Sequence, residues 1–125
     1  MSLDVALIGP VETATCECPL CGNEHTCQHA ETLFSANITH NLNRMAGAAG
    51  IYEALWSPGK IGAGRASDLI DFLSAGLARL EADPQGFEQF NATNGWGTYD
   101  QFVPWVRQYL KACQEYPDAD IHISK

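Results

Sequence analysis

Basic residues are scarce in this chain of 125: seven Lys and Arg stand against fifteen Asp and Glu, a formal net charge of -8. No Lys or Arg precedes Arg44, whereas Asp4, Glu12, Glu17, Glu24 and Glu31 all do. Such a surface repels phosphate backbones at long range, which argues against direct nucleic-acid binding. Two readings of the acidity stay open: a surface that keeps the protein solvated, or one that docks on a basic partner as a nucleic-acid mimic. Long apolar runs are also missing. None approaches the ~20 residues of a membrane-spanning helix, so no membrane partner is expected. Met1-Ser2-Leu3-Asp4 carries no base and makes a poor secretory signal, which points to a reducing cytoplasm. Catalytic signatures are lacking too: no serine stands in an elbow motif and no His-Glu-x-x-His occurs. A non-enzymatic protein is the expectation. Charged residues are few at 18%, but 46% of the chain is apolar, which excludes global disorder and allows one domain with a core of its own.

The pattern along the chain reads as strands, then helices, then one strand. Leu3 to Ile8 is a short apolar run ended by Gly9-Pro10, and Thr13 to Cys18 alternates. An extended pattern resumes from His25 to Ile38. Leu42, Met45, Ala46, Ala49 and Leu55-Trp56 recur at helical spacing up to Ser57-Pro58-Gly59. Gly47 and Gly50 weaken that helix, which suggests close approach by a neighbouring backbone. Ser67 is a plausible cap for a helix striped by Leu69, Leu73, Leu77 and Leu80. Asp83-Pro84 starts a short helix through Phe90. Thr98 with Gln101 matches a capping box before a third long helix, inside which Pro104 is awkward. Ile121 and Ile123 alternate with polar residues over Asp120 to Ser124, a last strand expected to pair with the first. The expectation is a single α+β domain over 1–125: a small antiparallel sheet with a metal-binding hairpin at 12–30, covered by three helices within 41–117.

Four of the five cysteines crowd into twelve positions: Cys16, Cys18, Cys21 and Cys27. Cys18-Pro19-Leu20-Cys21-Gly22 places two thiols two residues apart around a tight turn, suited to one tetrahedral zinc ion. That is half a site. The other donors must come from Cys16, His25, Cys27, His29 or His40. A hairpin across the turn would put Cys16 roughly opposite Cys27, with His25, Cys27 and His29 on one face. The first choice of ligand set is Cys18, Cys21, Cys27 and His29, with Cys16 as substitute. Thiolate-rich sites of this kind are structural. The alternative is a reduced hairpin that holds no metal.

Two further groupings point to a ligand. Thr39, His40 and Asn41 lie where an extended segment meets a helix, a junction that turns polar groups and helix N–H donors toward a ligand or simply caps the helix. Asn94-Gly95-Trp96-Gly97-Thr98-Tyr99 sets an indole between two glycines before another helix, either as a plug of the core or as a stacking platform. Lys60 and Arg65 flank a glycine-rich link that fits no nucleotide fingerprint but suits an anion. If the junction and the indole loop converge, Trp96 stacks on a nucleotide-like molecule, Asn41 and Asn94 read its polar edges, Tyr99 borders it, and Lys60 or Arg65 meets its phosphate.

The segments Asn37-Ile38-Thr39-His40-Asn41, Met45 to Trp56, Asn94-Gly95-Trp96-Gly97 and Pro117-Asp118-Ala119 resemble, as a set, small proteins encoded by bacteriophages and prophages. Those proteins often carry a Cys-Pro-x-Cys-Gly turn near the start. The resemblance spans roughly Cys18 to Ser124, and Cys16 and Cys27 are departures from it. It implies a virus-encoded accessory protein of the bacterial cytoplasm; the partner expected from the residues is a small molecule or a host protein. The resemblance assigns no role to any residue.

Overall fold

The structure is a computed structural model. It describes the backbone of residues 2–9, 12–17, 24–29 and 32–125, with side chains for 2–9 and 32–125. The elements run β1 (Ser2–Ile8), β2 (Glu12–Glu17), β3 (Glu24–His29), β4 (Thr32–Thr39), α1 (Asn43–Ala48), α2 (Tyr52–Trp56), α3 (Ile70–Ala82), α4 (Pro84–Glu88), α5 (Tyr99–Glu115) and β5 (Asp120–Ser124). The fold is α+β. One antiparallel sheet has the order β4-β1-β5, and β2 pairs with β3 in a separate two-stranded ladder.

The alternation of β1 sets the faces of the sheet. Leu3, Val5 and Leu7 are buried, while Ser2, Asp4, Ala6 and Ile8 are not. Opposite them stand Ile38, Ala36 and Phe34 of β4, and Ile123 and Ile121 of β5 face Val5 and Leu7. The expected pairing of the last strand with the first is therefore present. The helices pack against this apolar face. Phe34 stacks on Tyr109 of α5 at 5.9 Å between ring centroids, and the Trp105 indole N–H donates to the Asn37 carbonyl at 3.1 Å. The outer edge of β5 is occupied by the glycine-rich link: Ile121 N–H donates to the Gly64 carbonyl, and Ala66 N–H to the Ala119 carbonyl. Among the described residues no helix is long and apolar enough to cross a membrane.

Among the described residues there are five α-helices where three were expected. The stretch read as one helix from Asn41 to Trp56 breaks at Gly50, whose φ of +78° lies in the left-handed region. The break is held from outside. The Arg79 guanidinium of α3 donates to the Ala49 carbonyl at 2.8 Å, taking up a helix-end acceptor that has no partner inside the helix. Gly47, expected to meet a neighbouring backbone, has open space around it. The close approach is made elsewhere, by Gly76 of α3, which is pressed against the Ile51 side chain. Ser67 is not the cap before α3. Asp68 instead accepts from the backbone N–H groups of Gly64 and Arg65, and those bonds lower its pKa. α5 starts at Tyr99, before Pro104, so the Asp100 carbonyl loses its usual intrahelical donor. Pro104 stands on the exposed side.

Cys113, far from the other cysteines in sequence, is a free, fully buried core thiol. Burial pushes it up to about 12 and also raises Tyr109, whose hydroxyl is buried without a partner among the described residues.

Two outcomes follow from this packing. Gly76→Ala drives a methyl into Ile51 and should cost about 1–3 kcal/mol, a fall in Tm of roughly 4–12 °C at this size. The Gly76→Ala/Ile51→Ala pair, measured by denaturant unfolding, should be less destabilised than the sum of its singles. A folded-state pKa raised above the ordinary thiol value means that the unfolded chain releases its proton first as pH rises. The contribution of Cys113 is thus complete below pH 9.0 and is lost on the way to about 12. Urea midpoints should fall across that window, less steeply in Cys113→Ala than in the parent.

Candidate functional site

The junction after β4 and the loop before α5 meet. Thr39 ends β4, and its hydroxyl accepts from Asn41 N–H at 3.3 Å as the chain turns into a short 3-10 segment. The loop from Asn91 to Gly97 closes on itself, with Ala92 N–H donating to the Gly97 carbonyl. Asn94 Oδ1 accepts from Trp96 N–H at 3.0 Å. Asn91 Oδ1 caps Tyr99 N–H at 2.7 Å, and Gln101 Oε1 takes the N–H groups of Gly97 and Thr98. The two stretches are joined by Asn41, whose Nδ2 donates to the Trp96 carbonyl at 2.8 Å across 55 positions of sequence. Gly97 makes the approach sterically feasible. Its φ is +111°, and a Cβ there would lie 3.0 Å from both Thr39 Cγ2 and Asn41 Cβ.

Convergence does not make one shared cavity. The Asn41–Trp96 contact separates two hollows. One, about 570 Å³, is walled by His40, Asn41, Asn43 and Arg44 on the junction side and by Gln89, Asn91 and Asn94 among others on the loop side. The other, about 360 Å³, lies along the β4 edge between Trp96, Gly97, Gln101 and Trp105. His40 borders the first hollow, and its Nε2 is buried with no hydrogen-bond partner among the described residues. The ring meets Trp56 edge-on at 6.2 Å. A buried acceptor or donor left unpaired costs about 1–3 kcal/mol.

Of the eight residues read as ligand-binding, three border the first hollow: His40, Asn41 and Asn94. Thr39 and Trp96 border the second. Trp96 is 72% exposed, so it is no plug of the core. Tyr99 is turned to a structural use: its hydroxyl donates to the Leu80 carbonyl at 2.7 Å and ties α5 to the end of α3. Lys60 and Arg65 line neither hollow. Arg65 forms a backbone β-bridge with Asp120 at the outer edge of β5, with β1 between it and the β4 edge that ends in Thr39. Lys60 borders a separate notch with Trp56, Ile121 and Lys125. The reason is topological: the glycine-rich link is drawn to the β5 edge by backbone hydrogen bonding, which residue type along the link does not announce. Sequence reading missed Arg44, the cation that does border the first hollow, along with Gln89 and Asn91. Arg44 lies one turn beyond His40, so the spacing of the two on a helical start was an available signal.

Cys18 and Cys21 of the expected metal set lie outside the described residues. For Cys27 and His29 the backbone register is given: Cys27 stands opposite Ala14 and His29 opposite Glu12. Cys16 stands opposite His25, not opposite Cys27 as expected, because the ladder ends at Glu17 and Glu24 and six residues remain to make the turn.

Comparison with protein-family models, with curated proteins and with solved structures finds no match for this chain.

The joint between junction and loop is testable by itself. Asn41→Ala should cost about 1 kcal/mol and speed amide hydrogen exchange over residues 95–98. Gly97→Ala adds left-handed strain to a clash and should cost roughly 2–4 kcal/mol in chemical denaturation.

Proposed function

We propose that the chain is a non-enzymatic accessory protein that binds a small anionic, nucleotide-like molecule in the hollow between the β4–α1 junction and the Asn91–Gly97 loop. One observation carries the reading. A histidine and a guanidinium border a hollow whose wall also carries the side-chain amides of Asn41, Asn43, Gln89, Asn91 and Asn94, beside Phe90, Ala92 and Thr93. Arg44 takes the phosphate role first given to Lys60 and Arg65, since a guanidinium matches a phosphate in a forked pair of hydrogen bonds. Asn41, Asn94 and their neighbours offer both donors and acceptors to the polar edges of a base or sugar. Trp96, on the far side of the Asn41 joint, serves a ligand long enough to cross it. The resemblance to phage and prophage proteins fits such a role in a bacterial host, where sequestering a host signal counters a defence.

A second reading is favoured by the exposed indole of Trp96 on a strongly acidic chain: a module that blocks a basic host enzyme as a nucleic-acid mimic, with tryptophan as its anchor. Calorimetry against a panel of nucleoside mono-, di- and triphosphates and dinucleotides separates the two. The first reading expects saturable heat with one class. It also expects a loss of about 10- to 100-fold in affinity on Arg44→Ala, and no change on Lys60→Ala. Silence across the panel, together with salt-sensitive capture of one DNA-binding enzyme that duplex DNA displaces, selects the second.

A further inference from the structure

Another hollow, about 300 Å³, is walled by Gly47 of α1, Gly50, Tyr52 of α2, Ile61 and Phe72 of α3. That is the low end of the size of ligand pockets and gives room for one large ring system. Among the described residues three large hydrophobic side chains stand exposed: Tyr52, Phe72 and Trp96. Two of them are walls of this hollow. Gly47 sits inside α1, where glycine weakens a helix. Its φ is not left-handed, and a Cβ there would meet nothing within 4 Å beyond its own helix. Neither the backbone nor close packing within the chain calls for glycine at this position. Its missing side chain keeps the hollow open instead. Glu53 is the acid in the wall. The Arg79 guanidinium ends against Gly50, so the hollow is close to neutral.

Trp96 has the complementary shape. Its backbone is fixed on both sides, the N–H on Asn94 Oδ1 and the carbonyl on Asn41 Nδ2, yet its indole is left in solvent. A braced backbone holds the ring out at little ordering cost on binding. The run around it, residues 89–99, carries no charge. Two chains of net charge -8 repel one another. They meet at least cost through uncharged surface, which this loop provides.

We infer that the protein self-associates by setting Trp96 of one copy into the Tyr52–Phe72 hollow of a second. The indole then packs on two aromatic rings and over Gly47, where a longer side chain would stand in its place. An indole buries roughly 150–250 Å², against ~1,200 Å² for a standard stable interface. The contact is therefore weak when made once, with a Kd on the order of 10⁻⁴ to 10⁻³ M. Knob and hollow are different patches of one chain, so copies add head to tail unless a two-fold axis lets both contacts form at once. The contact needs neither His40 nor Arg44, and its test uses no nucleotide.

Sedimentation equilibrium of the full chain from about 10 µM to about 1 mM spans the expected Kd. The apparent mass should rise with concentration, and the Trp96 indole N–H signal should shift over the same range. Added salt should strengthen the association, because it screens like charges, whereas docking on a basic partner weakens in salt. Gly47→Leu fills the hollow and is the better helix former. Its Tm should not fall below the parent's, while association drops at least about 10-fold, as it should in Trp96→Ala. Mixed in equal amounts, these two variants should associate again, since one supplies the knob and the other the hollow. A parent that stays monomeric at the highest concentration, association retained in either variant alone, or a mixture that does not associate overturns the proposal. So does binding of N-acetyltryptophanamide at Ile61 and Phe72 of a monomeric parent, since the hollow then serves a free aromatic molecule.

Discussion

The candidate site depends on one close approach. Gly97 must come within a methyl's width of Thr39 and Asn41, and only glycine at a φ of +111° allows it. From that contact the Asn41 amide reaches the Trp96 carbonyl, the loop is held over the end of β4, and the two hollows acquire their common wall. The same loop caps α5 through Asn91 and Gln101. The helix that covers the sheet and the wall of the hollow are therefore fixed by the same few residues. Loosening the joint would alter the start of α5 as well as the site.

The sheet supplies the other half of the frame. β1 is its central strand, and the ladder it forms with β4 keeps one spacing with the ladder of β2 and β3: four residues separate Leu7 from Glu12, and four separate His29 from Phe34. Leu33 is the extra residue where the first ladder shifts. β4 is thereby set so that its last residues, Ile38 and Thr39, reach the junction with one face on the core. β5 and the glycine-rich link build the opposite edge, which is where Lys60 and Arg65 reside. Charge placement in this molecule follows from strand order more than from local composition.

Much of the fold was legible because it rests on local periodicity. The alternation of Leu3, Val5 and Leu7, the stripe through Leu69, Leu73 and Leu80, and the Thr98–Gln101 pair all behave as their spacing implies. The break at Gly50 was not legible. Its neighbours keep helical spacing, and what stabilises the break is a guanidinium thirty residues away. The meeting of Asn41 with the Trp96 loop could be anticipated from residue types, but the division into two hollows could not, since it turns on a single side-chain-to-backbone bond. Tyr99 looked like a ligand contact and is a tie to Leu80, because a tyrosine at a helix start can spend its hydroxyl on any carbonyl in reach. Arg44 was visible as the first base in the chain. Only the turn from β4 into α1 sets it beside His40 and over the hollow.

The central claim is that an anionic ligand enters the hollow beside His40 and Arg44 and not the basic notch at Lys60. Chemical-shift mapping of the isotope-labelled protein during titration with a nucleoside monophosphate tests it most directly. The account predicts saturable shifts in the Arg44 side chain, the His40 ring and the side-chain amides of Asn41 and Asn94. Shifts confined to Lys60, Arg65 and Lys125, or a spectrum that does not move, would contradict it.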